Sequence, residues 1–242
     1  MAIITGASKG IGAGIAREYG AEGAAVVVNY ATSRAGAEKV VAEITALGGK
    51  AIAVQADVAR APDVQRLFAE TIQAFGQLDI LVNNAGVYAF AGIDDITAES
   101  FQWMFTTNVL GSILTIQQAV RLFGGRGGAI LNFGSVVETL DMPKSLVYTA
   151  TKSAVSSMTR ILAKELGPKN IRINSINPGL IDTEGSHASG VMGGEAEHWF
   201  LSETPLGRVG QPTDIAKVAV FLASDDARWV TGESLTVSGG HR

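Results

Sequence analysis

The sequence predicts an α/β fold in which a parallel sheet carries helices on both faces, and three observations support that reading. Short β-branched runs alternate with longer helical patterns from one end of the chain to the other. The runs show almost no polar alternation, as expected of strands buried on both faces. A glycine-rich turn joins the first run to the first helical pattern, where a βα unit leaves its sheet.

In order, Ile3-Ile4-Thr5 reads as the first strand and the Ala/Arg/Glu pattern after Gly12 as the first helix. The strand Ala25-Val26-Val27-Val28-Asn29 precedes a helix at 35–47, Ala51-Ile52-Ala53-Val54 one at 63–75, and Leu78-Asp79-Ile80-Leu81-Val82 one at 98–123. Repetition continues with Gly128 to Phe133, a helix near 146–166, Ile171 to Ile176, a helix near 212–223, and Ser234-Leu235-Thr236-Val237. No composition shift, Pro/Ser-rich linker or fixed-period repeat divides the chain, so residues 1–242 are expected to form one domain. Residues 183–205 differ, mixing Gly185, Gly190, Gly193 and Gly194 with charges and Trp199 but no clear strand. They follow the carboxyl end of a strand, where such sheets bind ligands, and are expected to form a mobile substrate lid, with an ordinary surface loop as the alternative.

Composition excludes several functions. Hydrophobic residues make up 47% and charged residues 17% of the chain, which argues for a packed core and against disorder. A net charge of -4, from 19 basic and 23 acidic residues, offers no field for phosphate backbones, so nucleic acid is not an expected partner. The absence of cysteine removes disulfides, thiolate metal sites and a cysteine nucleophile, and His187, His198 and His241 show no metal-ligand spacing, so no metal is expected. No basic leader precedes an apolar stretch, and no run approaches the roughly 20 apolar residues of a membrane span, so a cytoplasmic location without membrane contact is expected.

The turn Gly6-Ala7-Ser8-Lys9-Gly10-Ile11-Gly12 has the chemistry of a dinucleotide site. Glycine permits close backbone approach, and the helix that follows offers free N–H groups and a positive dipole to a pyrophosphate. The spacing is G-x-x-x-G-x-G, not the commoner G-x-G-x-x-G. About 20 residues on, where NAD enzymes place an acid on the ribose hydroxyls, the chain has Asn29 and Tyr30, with no acidic residue between Glu22 and Glu38. A 2′-phosphate would be repelled by a carboxylate and held by Lys9, Ser33 and Arg34. NADP(H) is therefore expected over NAD(H).

Tyr148 and Lys152 fall four residues apart in a predicted helix, on one face. Tyrosine near pKa ~10 is a poor base at neutral pH, and an adjacent ammonium favours its phenolate. Ser135 is expected to end the fifth strand, at the ligand-binding edge. Glu138 and Asp141 read as solubilising loop residues, Phe101, Trp103 and Phe105 as core or interface, and His187 and His198 as plain loop positions, with substrate contact as the alternative.

Together, Thr5-Gly6 to Gly12, Asp57, Asn83 to Gly86, Asn108, Ser135, Tyr148, Lys152 and Pro178-Gly179 make the chain resemble the short-chain dehydrogenase/reductase family over nearly its whole length. The resemblance implies a single-domain Rossmann fold with a doubly wound, seven-stranded parallel sheet, in a homotetramer. It also implies that Ser135 holds the substrate oxygen, Tyr148 exchanges a proton with it, Lys152 binds the nicotinamide ribose and lowers the Tyr148 pKa, and Asn108 supports a water relay. Asp57 and Val58 would touch the adenine, Asn83, Asn84, Ala85 and Gly86 the nearby ribose and sheet, and Pro178, Gly179, Ile181 and Thr183 the nicotinamide end. Only Met1 to Ile4 precede Thr5-Gly6, fewer residues than family members usually have there, so the first strand is expected to be short or the chain to begin within it.

The block from Pro205 to Pro212, continuing through Val230-Thr231-Gly232 to Gly239-Gly240, resembles both 3-oxoacyl-carrier-protein reductases and sugar or glucose dehydrogenase-like members. An acidic carrier protein would want a basic entrance, and 183–205 contains no Lys or Arg, which favours a small ketone, aldehyde or secondary alcohol. A protein that senses NADP(H) without turning it over is the alternative from another class, disfavoured because both Tyr148 and Lys152 are present.

Overall fold

A computed structural model describes all residues, 1–242. Seven strands form one all-parallel sheet: β1 (Ala2–Ile4), β2 (Ala25–Tyr30), β3 (Lys50–Gln55), β4 (Ile80–Asn83), β5 (Gly128–Phe133), β6 (Ile171–Pro178) and β7 (Ser234–Val237), in the order β3-β2-β1-β4-β5-β6-β7. The order reverses between β1 and β4, which opens a crevice at their carboxyl ends. Nine helices follow the chain: α1 (Gly10–Ala21), α2 (Arg34–Ala46), α3 (Ala61–Phe75), α4 (Ala98–Phe105), α5 (Gly111–Phe123), α6 (Leu146–Leu166), α7 (Glu184–Ala188), α8 (Glu195–Ser202) and α9 (Pro212–Ala223).

Strand alternation divides the core in two. Ile4, Val26, Val28, Val82 and Leu131 pack with Ile15, Val40, Ile215 and Leu222 on the α1–α2–α9 side. Ile3, Val27, Leu81, Ile130 and Ile173 point the other way, against Leu67, Phe68, Ile116, Phe123 and Leu166 of α3, α5 and α6. Both faces are covered, which explains strands without polar alternation.

Several boundaries moved for traceable reasons. β4 starts at Ile80, not Leu78, because β1 begins at Ala2 and the register pairs Ala2 with Ile80; Leu78 is still fully buried. β6 runs on to Pro178 because β7 pairs with it at Asn177 and Pro178. The expected helix 98–123 is interrupted by a π-turn at Thr106–Leu110 that separates α4 from α5. Such turns widen a helix by one residue and often mark functional positions, and this one holds Asn108. Residues 183–205 contain two short helices; Thr183 caps the first by accepting from the Ser186 N–H while the Ser186 hydroxyl accepts from the Thr183 N–H. No helix is long and apolar enough to cross a membrane.

Candidate active site

A cavity of about 400 Å³ lies just beyond the carboxyl ends of the central strands, and its lining includes Asn84, Gly86, Ser135, Tyr148, Lys152, Pro178, Gly179, Ile181 and Thr183. α6 presents Tyr148 and Lys152 to it one turn apart. Ser135 lies two residues beyond β5, not at its end, in extended backbone that opens a short 3₁₀ turn over Val136–Glu138. Asn108 stands back from the lining: its side chain accepts from the Val87 N–H at 2.8 Å and donates to the Val87 carbonyl at 2.8 Å and the Thr151 hydroxyl at 3.0 Å. It thereby ties the loop after β4 to α6.

Burial sets the proton affinities. Lys152 is 6% exposed, and its Nζ donates to the Phe133 carbonyl at 2.8 Å and sits 5.6 Å from the Tyr148 ring centroid. Desolvation drives its pKa down to about 8, with the Glu138 charge opposing. Burial pushes Tyr148 up to about 12; the Ser135 hydroxyl acts in the other direction, and Tyr88 and Glu138 add to the rise. The expected lowering of Tyr148 by Lys152 is not met in this arrangement, because desolvation of the phenolate dominates.

On the dinucleotide side, Gly10 (φ +57°) opens α1 in a conformation that favours glycine, and its N–H donates to the Glu184 carboxylate at 2.9 Å. An anion thus already sits where the helix terminus invites a pyrophosphate oxygen, so the loop fits the expected group. The Thr5 hydroxyl accepts from the Asn84 and Ala85 N–H groups at 3.0 Å each, and the Asn84 side chain donates to the Thr5 and Gly6 carbonyls at 2.9 and 3.1 Å, clamping the loop to the end of β4. Ile11 lines the cavity, and Gly86 faces Lys152 and Asn108. Ser8 and Ser33 converge on Gly36, Lys9 is exposed, and Arg34 pairs with Glu38 at 2.7 Å in solvent.

Two expected cofactor contacts have side chains committed to the fold. The Asn29 side chain accepts from the Gly6 N–H at 3.1 Å, and its amide N–H groups donate to the Val54 and Ala56 carbonyls. Tyr30 is buried in the α1–α2 core. Val58 packs its side chain where a Cβ on Gly111 would meet it at 2.9 Å, so only its main chain is offered to a ligand, and Asp57 Oδ1 accepts from the Ala59 N–H at 3.0 Å.

Glu138 is also corrected: its carboxylate faces inward, accepting from the Ser135 N–H at 3.2 Å and the Asn177 side chain at 3.1 Å. The sequence carried a signal for it, since Ser135-Val136-Val137-Glu138 is an S-x-x-E capping box. Tyr88 and Phe90 had no such signal. With Tyr148 they form an aromatic cluster, ring centroids 5.7–6.1 Å apart, on one wall of the cavity. Met142, Pro143, Val191 and Phe200 make much of the rest apolar. His187 lies in the open, 2.8 Å from Asp182. No group of three or more His, Asp or Glu side chains is placed to hold a metal ion.

The model of a family described as enoyl-(acyl carrier protein) reductase matches residues 6–242. An uncharacterised oxidoreductase of Methylorubrum extorquens is 54% identical, over 100% of this chain and 97% of that protein. Versicolorin reductase 1 of Aspergillus parasiticus is 40% identical over 99% of this chain and 95% of its own length. Among solved structures, a short-chain dehydrogenase from Burkholderia cenocepacia in complex with NADP superposes with a TM-score of 0.92 at 37% identity, covering 99% of this chain and 96% of that one.

Proposed function

Because the chain belongs to the short-chain dehydrogenase/reductase family of oxidoreductases, we propose that it interconverts a ketone or aldehyde and its alcohol with NADP(H), using Ser135, Tyr148, Lys152 and Asn108. One observation carries this reading: Ser135, Tyr148 and Lys152 line one apolar cavity that also meets the glycine-rich loop at Ile11. When bound, the nicotinamide gives or takes the hydride. Ser135 holds the substrate oxygen, Tyr148 passes the proton, Lys152 binds the cofactor ribose, and Asn108 keeps the loop after β4 registered on α6. Residues 183–205 close over the substrate as a lid. The four subunits of a homotetramer are the assembly in which this occurs.

The substrate we favour is a free ketone on a flat, apolar body, which the Tyr88–Phe90 wall suits, and a relative of this chain is a versicolorin reductase. NADP(H) is favoured by the absence of an acid after β2 and by Lys9, Ser33 and Arg34; a related structure holds NADP. The exposed Arg34–Glu38 pair is the weak kind that a phosphate readily outcompetes.

The test is a panel of ketones assayed against NADPH and NADH by absorbance of the reduced nicotinamide. A higher kcat/KM with NADPH is expected, and Arg34→Ala should weaken NADPH binding about ten-fold while sparing NADH. A preference for NADH would sink the cofactor assignment. Tight NADPH binding without turnover of any carbonyl would favour a sensor.

A further inference from the structure

Lys152 is a buried cation with no carboxylate in contact: its Nζ donates to a main-chain carbonyl. A buried ammonium surrenders its proton unless an opposite charge lies near. Glu138 is the carboxylate anchored on the same stretch of main chain, since Lys152 Nζ donates to the Phe133 carbonyl and Glu138 accepts from the Ser135 N–H two residues on, and the structure is built to hold that group in place. Gly134 is required for the approach, since a Cβ there would come within 2.5 Å of Glu138 Oε1 and overlap the Asn177 side-chain oxygen. The Ser175 hydroxyl accepts from the Gly134 N–H at 3.2 Å and donates to Asn177 Oδ1 at 3.0 Å, which turns the Asn177 amide toward Glu138. Ser156, one turn beyond Lys152, buries a hydroxyl without a hydrogen-bond partner, and it favours the charged form of Glu138.

We infer that Glu138 is a positioning residue with two tasks: it fixes the main chain of Ser135 and supplies the counter-charge that keeps Lys152 an ammonium. The inference rests on the roles proposed above for Tyr148 and Lys152. The charged and titratable groups around it are Lys152, Arg160 and Tyr148 of α6, with Tyr88 facing Tyr148 from the loop after β4. Burial raises the proton affinity of Glu138, while Ser156, the Ser135 N–H, Lys152 and Arg160 hold it down.

Removing the charge lowers the proton affinity of Lys152 and of Tyr148 together, because Glu138 raises both. Ketone reduction needs the ammonium and the neutral phenol. Its alkaline limb should therefore move to lower pH in Glu138→Gln, by about half a pH unit or more. Glu138→Asp keeps the charge but loses reach: its limb should stay near that of the wild type while kcat falls, because the Ser135 N–H has lost its acceptor.

The experiment is the pH profile of kcat/KM for ketone reduction in the wild type and both variants, with NADPH affinity measured alongside and folding checked by thermal melting. An unmoved limb in Glu138→Gln overturns the inference, as does an equal displacement in Glu138→Asp. Should Glu138→Gln fail to fold, Glu138→Asp still decides, since wild-type kcat in it would refute the hold on Ser135. Tyr148→Phe in the same series separates the two levels: if it stays active, the acid/base assignment fails whatever Glu138 does.

Discussion

At Tyr148, the proton donor proposed for the reaction, two opposing influences act on the phenol. Burial raises the phenol to about 12 and the Ser135 hydroxyl pulls it back, so the neutral phenol is the resting form across the neutral range. A proton donor is what ketone reduction requires, and reduction should hold steady until the pH nears about 8, where Lys152 loses its proton. Alcohol oxidation requires the phenolate and should go on climbing with pH past that point, toward about 12. Tyr148→Phe keeps the ring and its aromatic contacts with Tyr88 and Phe90, so NADPH binding should survive while kcat drops roughly 10²–10⁴-fold. Retention of more than about a tenth of wild-type kcat, with a deuteride isotope effect showing that chemistry limits the rate, would contradict the role assigned here.

Among the elements, α7 is where the glycine loop and the aromatic wall meet. Glu184 at its start accepts from the Gly10 N–H, and the Tyr88 hydroxyl donates to the Gly185 carbonyl at 2.7 Å, so five residues bridge the glycine loop and the aromatic wall. A pyrophosphate seeking the same N–H meets a carboxylate of like charge. Glu184→Gln should therefore tighten NADPH binding, by about five-fold at low salt, and the gain should shrink in concentrated salt because the group is exposed. Fluorescence titration of the reduced nicotinamide measures it, and unchanged or weaker binding would show that Glu184 assists the cofactor. α1 and α9 cross so closely that a Cβ on Gly14 would sit 2.8 Å from the Pro212 side chain, which fixes the glycine loop's helix against α9.

Across the whole molecule, one apolar groove remains uncovered in the single chain, between α4 and α5, lined by Phe101, Phe105, Val109, Leu110 and Ile113. Leu206, Phe221, Trp229 and Leu235 are exposed as well, Trp229 at 96%. Exposed apolar surface of this kind on a folded domain marks contact surfaces, as a tetramer uses. Light scattering at micromolar concentration should give a tetramer, and Leu110→Glu should halve it without unfolding the subunit; a wild-type monomer would count against the assembly proposed.

The sequence alone determined the layered α/β fold, the glycine turn and the Tyr148–Lys152 pairing, because each rests on local chemistry: strand and helix periodicities, glycine's backbone freedom, and the four-residue reach of one helix turn. It even carried Glu138, in an S-x-x-E pattern whose meaning is only a short-range cap until the fold is known. Tertiary structure alone decided what those side chains face. Asn29 reads as a ribose ligand by its place near the end of β2, yet its side chain is engaged by Gly6 of the glycine loop and by Val54 and Ala56 at the end of β3. Asn108 depended on a π-turn that the helical pattern hides, and Tyr88, Phe90 and Glu184 became neighbours of the site only through packing across the crevice. Hydrogen-bond commitment and burial are properties of contacts between residues distant in the chain, and so are the proton affinities of Tyr148 and Lys152: desolvation outweighs the neighbouring charge that sequence spacing suggested.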